Sequence, residues 1–215
     1  MDPQIRPLLE AASRPYAAAR RYAWRFARGK LRHDPVFMYL LCYGLLPDRG
    51  SLLDLRCDRG VLLSLLKAAK AQYQAGLWPQ DWPAPPLNLD LSGIELREER
   101  VKAAQSALGG GAQVDLHDLR DFAFRPCSVF VMLDMLHYLG AGDQLPVLEK
   151  AARSLEPDGV LLVREADAAA GCPFQVTSAL QRRGGGRLRN SLHFRSRGSG
   201  SPRPRSSLSA SAWRR

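Results

Sequence analysis

No pair of cysteines in this sequence stands at metal-ligand or redox spacing. Cys42, Cys57, Cys127 and Cys172 are scattered along 215 residues without a Cys-x-x-Cys. That argues against a metal site or a disulfide framework and predicts free, buried thiols in a reducing compartment. Nor does any apolar run approach the roughly 18 residues that a membrane span requires. The charged N-terminus is not a secretory signal. A cytoplasmic location is the resulting expectation. Acidic residues and lysine are both missing from 182–215, where ten arginines alone carry +10, equal to the formal charge of the whole chain. The body, 1–181, is therefore neutral, with +5 on residues 1–50 and −5 on 51–181. A uniformly basic body would point to nucleic acid. A slightly acidic one points instead to a small-molecule substrate.

What the sequence does contain is a strand–turn–helix pattern at Ser51-Leu-Leu-Asp-Leu-Arg-Cys-Asp-Arg-Gly60. The apolar run Leu52 to Leu55 breaks into a polar turn ending on Gly60. Val61, Leu62, Leu65, Leu66 and Ala69 follow at helical spacing. A second strand, Ser92-Gly-Ile-Glu95, ends on a carboxylate and leads into the amphipathic run Glu98 to Leu108. A strand, a tight turn, a helix and a second strand with an acid at its C-terminal end are how a doubly wound sheet makes an adenosine site. The turn brings backbone close to the ligand, and the acid accepts from ribose hydroxyls.

These residues resemble the class I S-adenosylmethionine-dependent methyltransferases, whose first strand usually ends in Asp/Glu-x-Gly-x-Gly-x-Gly. This chain reads Asp54-Leu-Arg56-Cys-Asp58-Arg-Gly60, so the leading acid and the last glycine match while Arg56 and Asp58 replace the first two glycines. The resemblance continues through Val114-Asp-Leu-His-Asp118, Val129-Phe-Val-Met-Leu-Asp134-Met-Leu-His137-Tyr138 and Leu155-Glu-Pro-Asp-Gly-Val-Leu-Leu-Val163. It implies an α/β fold with a Rossmann-like, mostly parallel sheet of about five strands, N-terminal helices, and S-adenosylmethionine as cofactor. It also implies that Asp54 lies beside the methionine moiety, that Gly60 closes the turn, that Glu95 takes the ribose and that Asp118 takes the adenine amino group. Asp134 would stand where substrate and donor meet, and His137 is the candidate base; a structural histidine capping the turn is the other reading. The family's Asn/Asp-Pro-Pro-Tyr signature for methylating the amines of bases and glutamine is absent. The implied activity is methyl transfer to a small molecule, at oxygen. A non-glycine residue in a strained backbone costs about 1–3 kcal/mol, so Arg56 and Asp58 are expected to weaken donor binding.

Three segments follow. Residues 1–50 read as helical cover, with helices over Arg14 to Leu31 and Val36 to Leu46, the second opened by Asp34-Pro35. Arg14, Arg21, Arg25, Arg28 and Arg32 share one face, read as solvated, as part of a lid, or as a peripheral contact with an anionic membrane. Residues 51–181 form the methyltransferase-like domain. Within it Trp78 and Trp82, in a proline-rich excursion, either anchor that loop or line an aromatic pocket. Residues 182–215 read as an Arg/Ser/Gly-rich disordered tail. Gly171 to Leu180 is expected to begin a helix, and the sheet to stop short of the family's last two strands. Two alternatives accompany the leading function. One is an inactive remnant of the fold, truncated or frameshifted at its end; the other is RNA binding through the tail.

Overall fold

Val129, Phe130, Val131 and Met132 are all wholly buried. A strand buried on both faces has to lie inside a sheet covered on both sides. The computed structural model describes residues 5–18, 21–166, 174–183 and 187–197. Its parallel strands are β1 (Arg49–Leu55), β2 (Asn88–Glu95), β3 (Gln113–Leu116), β4 (Cys127–Leu133) and β5 (Leu155–Ala166), in the order β3-β2-β1-β4-β5. Three helices follow strands of this sheet: α4 (Val61–Gln74), α5 (Glu98–Leu108) and α6 (Ala141–Ser154). Neighbouring side chains along the strands divide between two cores. Leu52, Val129, Val131 and Leu162 join one face with the N-terminal helices, α4 and α5. Leu53, Leu55, Phe130, Met132 and Leu161 join the other with Val147 and Ala151 of α6. The strand order reverses between β1 and β4, and in such sheets ligands bind outside the carboxyl ends of the strands at that point.

The N-terminal cover is three helices, not two: α1 (Arg6–Ser13), α2 (Arg21–His33) and α3 (Val36–Cys42). The expected helix from Arg14 does not form as one piece, because Pro15 lacks a backbone donor and Arg14–Ala17 is a 3-10 turn. The expected helix to Leu46 stops early, at Cys42, and Gly44 follows in the left-handed region. This layer pins the turn after β1. The buried Tyr16 hydroxyl donates to the Arg59 carbonyl at 2.7 Å, and the Ser64 hydroxyl to the Ala12 carbonyl at 2.7 Å. Arg14, Arg21, Arg25, Arg28 and Arg32 are all exposed. Trp78 packs edge-on against Trp82 and donates to the Pro83 carbonyl at 2.9 Å. Both tryptophans lean on the core away from the switch point, so they anchor their loop.

The C-terminal region departs from expectation. Two further strands, β6 (Phe174–Arg183) and β7 (Arg187–Arg197), extend the sheet antiparallel beyond β5. The helix expected from Gly171 to Leu180 is corrected over Phe174–Leu180, which is strand. The expectation of no strand beyond 182 is corrected over Arg187–Arg197. The physical reason is that the edge of β5 offers a row of unpaired amides and carbonyls. Val160–Ala166 pair in register with Gln181–Gln175, and Leu188, Leu192 and Phe194 fall at even spacing in the sequence. Residues 198–215 lie outside the described residues.

Candidate active site

At the carboxyl end of β1 the chain turns through Arg56, Asp58 and Gly60, all three with positive φ, at 68°, 52° and 70°. Glycine is the default at such positions because it has no Cβ to clash; here two of the three carry side chains. Gly60 has a second reason to be glycine, since a Cβ there would lie 2.9 Å from Leu108 Cδ1. Gly93 leaves room for Cys57, whose Sγ would be 2.7 Å from a Cβ at that position. The turn is held from β2. The Cys57 N–H donates to the Ile94 carbonyl at 3.0 Å, and the Asp58 N–H to Glu95 Oε2 at 3.1 Å. Glu95 Oε1 accepts from the Arg97 N–H at 3.1 Å, and its side chain is buried.

Two clefts open on this turn. The larger, ≈ 500 Å³, is lined by Asp54, Asp58, Asp134, His137 and Tyr138, with Phe26 and Lys30 from α2. The smaller, ≈ 210 Å³, is lined by Glu95, His117, Asp118, Arg120 and Asp143. Arg56 and Tyr138 border both, and the Arg56 guanidinium lies 3.9 Å over the Tyr138 ring. The sequence-predicted residues are thus brought to adjoining spaces: Asp54, Asp134 and His137 to the larger cleft, and Glu95 and Asp118 to the smaller. Gly60 caps α4 from the turn between β1 and that helix.

Their electrostatic states differ. Asp54 is buried, and its carboxyl makes no hydrogen bond or ion pair among the described residues. Burial, then Asp58 and Glu95, push its carboxyl up to about 7. Asp118 is held down to about 2 by the Arg120 guanidinium and backbone N–H, which both donate to it. Asp134, at φ 53°, donates its N–H to the Arg164 carbonyl at 2.9 Å, and its carboxylate meets the Arg164 guanidinium. Arg164 is wholly buried and also forks onto Asp34, Nη2 to Oδ2 at 2.8 Å. Burial alone would raise the Asp34 carboxyl, but Arg164 and Lys30 outweigh it and hold it below its usual value. His137 Nδ1 lies 2.9 Å from Glu165 Oε2, and Oε1 of that carboxylate accepts the Leu136 N–H at 2.5 Å. Nε2 of His137 has no partner among the described residues. An imidazole oriented by a carboxylate at Nδ1 leaves Nε2 able to accept a proton.

Sequence reasoning missed Lys30, Arg164 and Glu165 and read Asp34 only as a helix opener. Only Glu165 carried a usable signal: it follows the apolar run Leu161–Val163 near the end of β5, as the candidate carboxylates Asp54, Glu95 and Asp134 stand near the ends of β1, β2 and β4.

No protein-family model matches the chain. A curated relative, the carboxy-S-adenosyl-L-methionine synthase of Chromohalobacter salexigens, is 31% identical over 86 residues, 38% of this chain. The chain resembles the class I S-adenosylmethionine-dependent methyltransferases. It spans about a third, 32%, of that relative's length. A solved protein from Pyrococcus horikoshii is 15% identical, with 78% of this chain and 73% of that one covered and a TM-score of 0.48. An S-adenosylmethionine-dependent methyltransferase from Methanosarcina mazei is 17% identical over 59% and 57%, with a TM-score of 0.45. The doubly wound fold is read from this chain's own strand order.

Proposed function

We propose that this chain binds S-adenosylmethionine across the two clefts and transfers its methyl group to an oxygen atom of a small molecule. The observation that carries the reading is the turn after β1. Positions 56, 58 and 60, where the family's motif has glycine, all hold the left-handed backbone that favours glycine, although two of them carry side chains. The residues present fit the donor. Asp54 offers a buried carboxylate without a partner to its ammonium, Glu95 stands at the ribose position and Asp118 at the adenine end. When bound, the donor supplies a methyl group that leaves its sulfonium sulfur for the acceptor oxygen, leaving a neutral thioether. Most of the rate can come from holding the two reactants in line. His137 Nε2 takes the acceptor hydroxyl's proton, and Glu165 orients the ring and stabilises the imidazolium. Asp134, tied to Arg164, shapes the end of β4 and does not act as a free base. A remnant fold without donor affinity and RNA binding through the tail are not favoured.

The test is calorimetry with S-adenosylhomocysteine. Wild type is expected to bind, and Glu95→Ala to lose binding. Glu95→Gln, which keeps one acceptor for the turn, should weaken binding by about tenfold or more, as loss of a charge-assisted bond would. Equal affinity in all three proteins would overturn the assigned site.

A further inference from the structure

Arg56 pairs a costly backbone conformation with only an exposed stack to offset it. It holds a left-handed backbone at φ 68°, where a side chain costs about 1–3 kcal/mol. Its guanidinium forms no ion pair among the described residues. Its partner is the face of Tyr138, a ring that is itself 64% exposed. Stacking uses the flat face of a guanidinium and leaves its N–H donors, which lie in the plane, unspent. Such a fork suits a carboxylate or phosphate held by two parallel bonds.

The surrounding charge points the same way. Around the larger cleft, Asp58 is taken by Arg59 at 2.9 Å and Arg100 at 3.5 Å. Asp34 and Asp134 are taken by Arg164, with Lys30 at 3.3 and 3.7 Å. Glu165 is taken by His137 at 2.9 Å, so each of these carboxylates has a partner, while Arg56 has no carboxylate partner among the described residues. The segment 51–181 is acidic overall, yet at this cleft the Arg56 guanidinium is left without a carboxylate. A donor that carries a sulfonium charge gains nothing from a surplus cation. An anionic second ligand does. Phe26, Phe37 and Tyr138 add aromatic walls to the same cleft.

We infer that the methyl acceptor is an aromatic molecule bearing an acidic group, and that Arg56 is the residue that selects it. This deepens the methyltransferase reading and rests on it. The acid would lie on the Arg56 fork while the reacting hydroxyl faces His137 Nε2. Arg56 is then a specificity residue, and the left-handed strain is the consequence of placing a cation where the family's turn has none.

The experiment titrates 4-hydroxybenzoate and, as the uncharged match, 4-hydroxybenzyl alcohol into the full chain, with and without S-adenosylhomocysteine. Wild type should prefer the acid by about tenfold or more, the size of one charge-assisted fork. Arg56→Gln should reduce that preference to within about twofold, and Arg56→Lys should keep part of it, because the charge stays while the planar fork goes. Any change in affinity for S-adenosylhomocysteine should be smaller than the change for the acid in either variant. Equal binding of acid and alcohol by wild type, or no binding of the acid at millimolar concentration, overturns the inference. So does an Arg56→Gln variant that loses S-adenosylhomocysteine as strongly as the acid, since Arg56 would then serve the donor's own carboxylate. Because the preference is also read without S-adenosylhomocysteine, failure of that molecule to bind would overturn the methyltransferase reading while leaving the measurement on Arg56 intact.

Discussion

The turns after β1 and β4 face each other across the switch point, and both hold side-chain-bearing residues in the left-handed region. They are supported in opposite ways. After β4, the Asp134 backbone is bonded to β5 and its carboxylate to a buried arginine that also reaches Asp34. After β1, the backbone is held by Glu95 and Tyr16, while the Arg56 side chain leans only on an exposed ring. Strain anchored by buried charge belongs to the fold. Strain whose side chain stays available belongs to a ligand.

The largest effect is expected at Asp54, the buried acid beneath the β1 turn. Its folded-state pKa, about 7, stands above the 3.8 of an ordinary aspartate. Below about pH 4 both states hold the proton and its stabilisation is fully present. As pH rises toward 7, the unfolded chain ionises first and that stability is lost. The loss should be on the order of 4 kcal/mol, from about three units at 1.36 kcal/mol each. Urea unfolding from pH 4 to 8 should show wild type losing this much relative to Asp54→Asn. Parallel pH profiles for the two proteins would mean that Asp54 is solvated and not buried without a partner.

Much of this was legible in the sequence, and the reasons are local. Asp54 and Glu95 could be placed because each ends a short apolar strand in a βαβ pattern, and Gly60 because a helix starts directly after it. His137 could be nominated as a base because it stands three residues after Asp134 at the end of a buried strand. The partners could not. Arg164 lies 130 residues from Asp34 and 30 from Asp134, and no spacing rule joins them; only the sheet order, with β4 beside β5, does. The same is true of Glu165 and His137. The C-terminal strands were missed because their composition is polar and Arg-rich, and what makes them strands is pairing on the edge of β5.

The β4 side should give the next largest effect. Removing one member of a buried charge cluster leaves the others unpaired, at a cost of about 3–5 kcal/mol. Asp34 and Asp134 keep 13% and 23% of their side-chain exposure, which places Arg164→Met near the lower limit, about 3 kcal/mol. Adding Asp34→Asn to Arg164→Met should recover part of the loss, because one stranded charge is gone. Asp134→Gly should also destabilise, since the lost ion pair outweighs the relief of a left-handed backbone. A neutral Asp134→Gly would show that its link to Arg164 does little, and the contrast between the turns would collapse.

The smallest effect, and the one of opposite sign, is expected at Arg56. Glycine there relieves about 1–3 kcal/mol of backbone strain. Against that stand the cation–π contact with Tyr138, about 0.5–1 kcal/mol at an exposed site, and the extra entropy a glycine gives the unfolded chain, about 0.5–1 kcal/mol. The terms centre on a slight stabilisation by Arg56→Gly, about 0.5 kcal/mol at mid-range. Asp58→Gly should gain less, because Asp58 also pairs with Arg59 and Arg100. Urea unfolding of Arg56→Gly beside Asp134→Gly therefore reads two glycine substitutions at the same backbone conformation, with opposite signs expected. A clear destabilisation by Arg56→Gly would mean that the stack on Tyr138 supports the fold. Arg56 would then be committed to the protein in the way Asp134 is, and no longer available to a ligand.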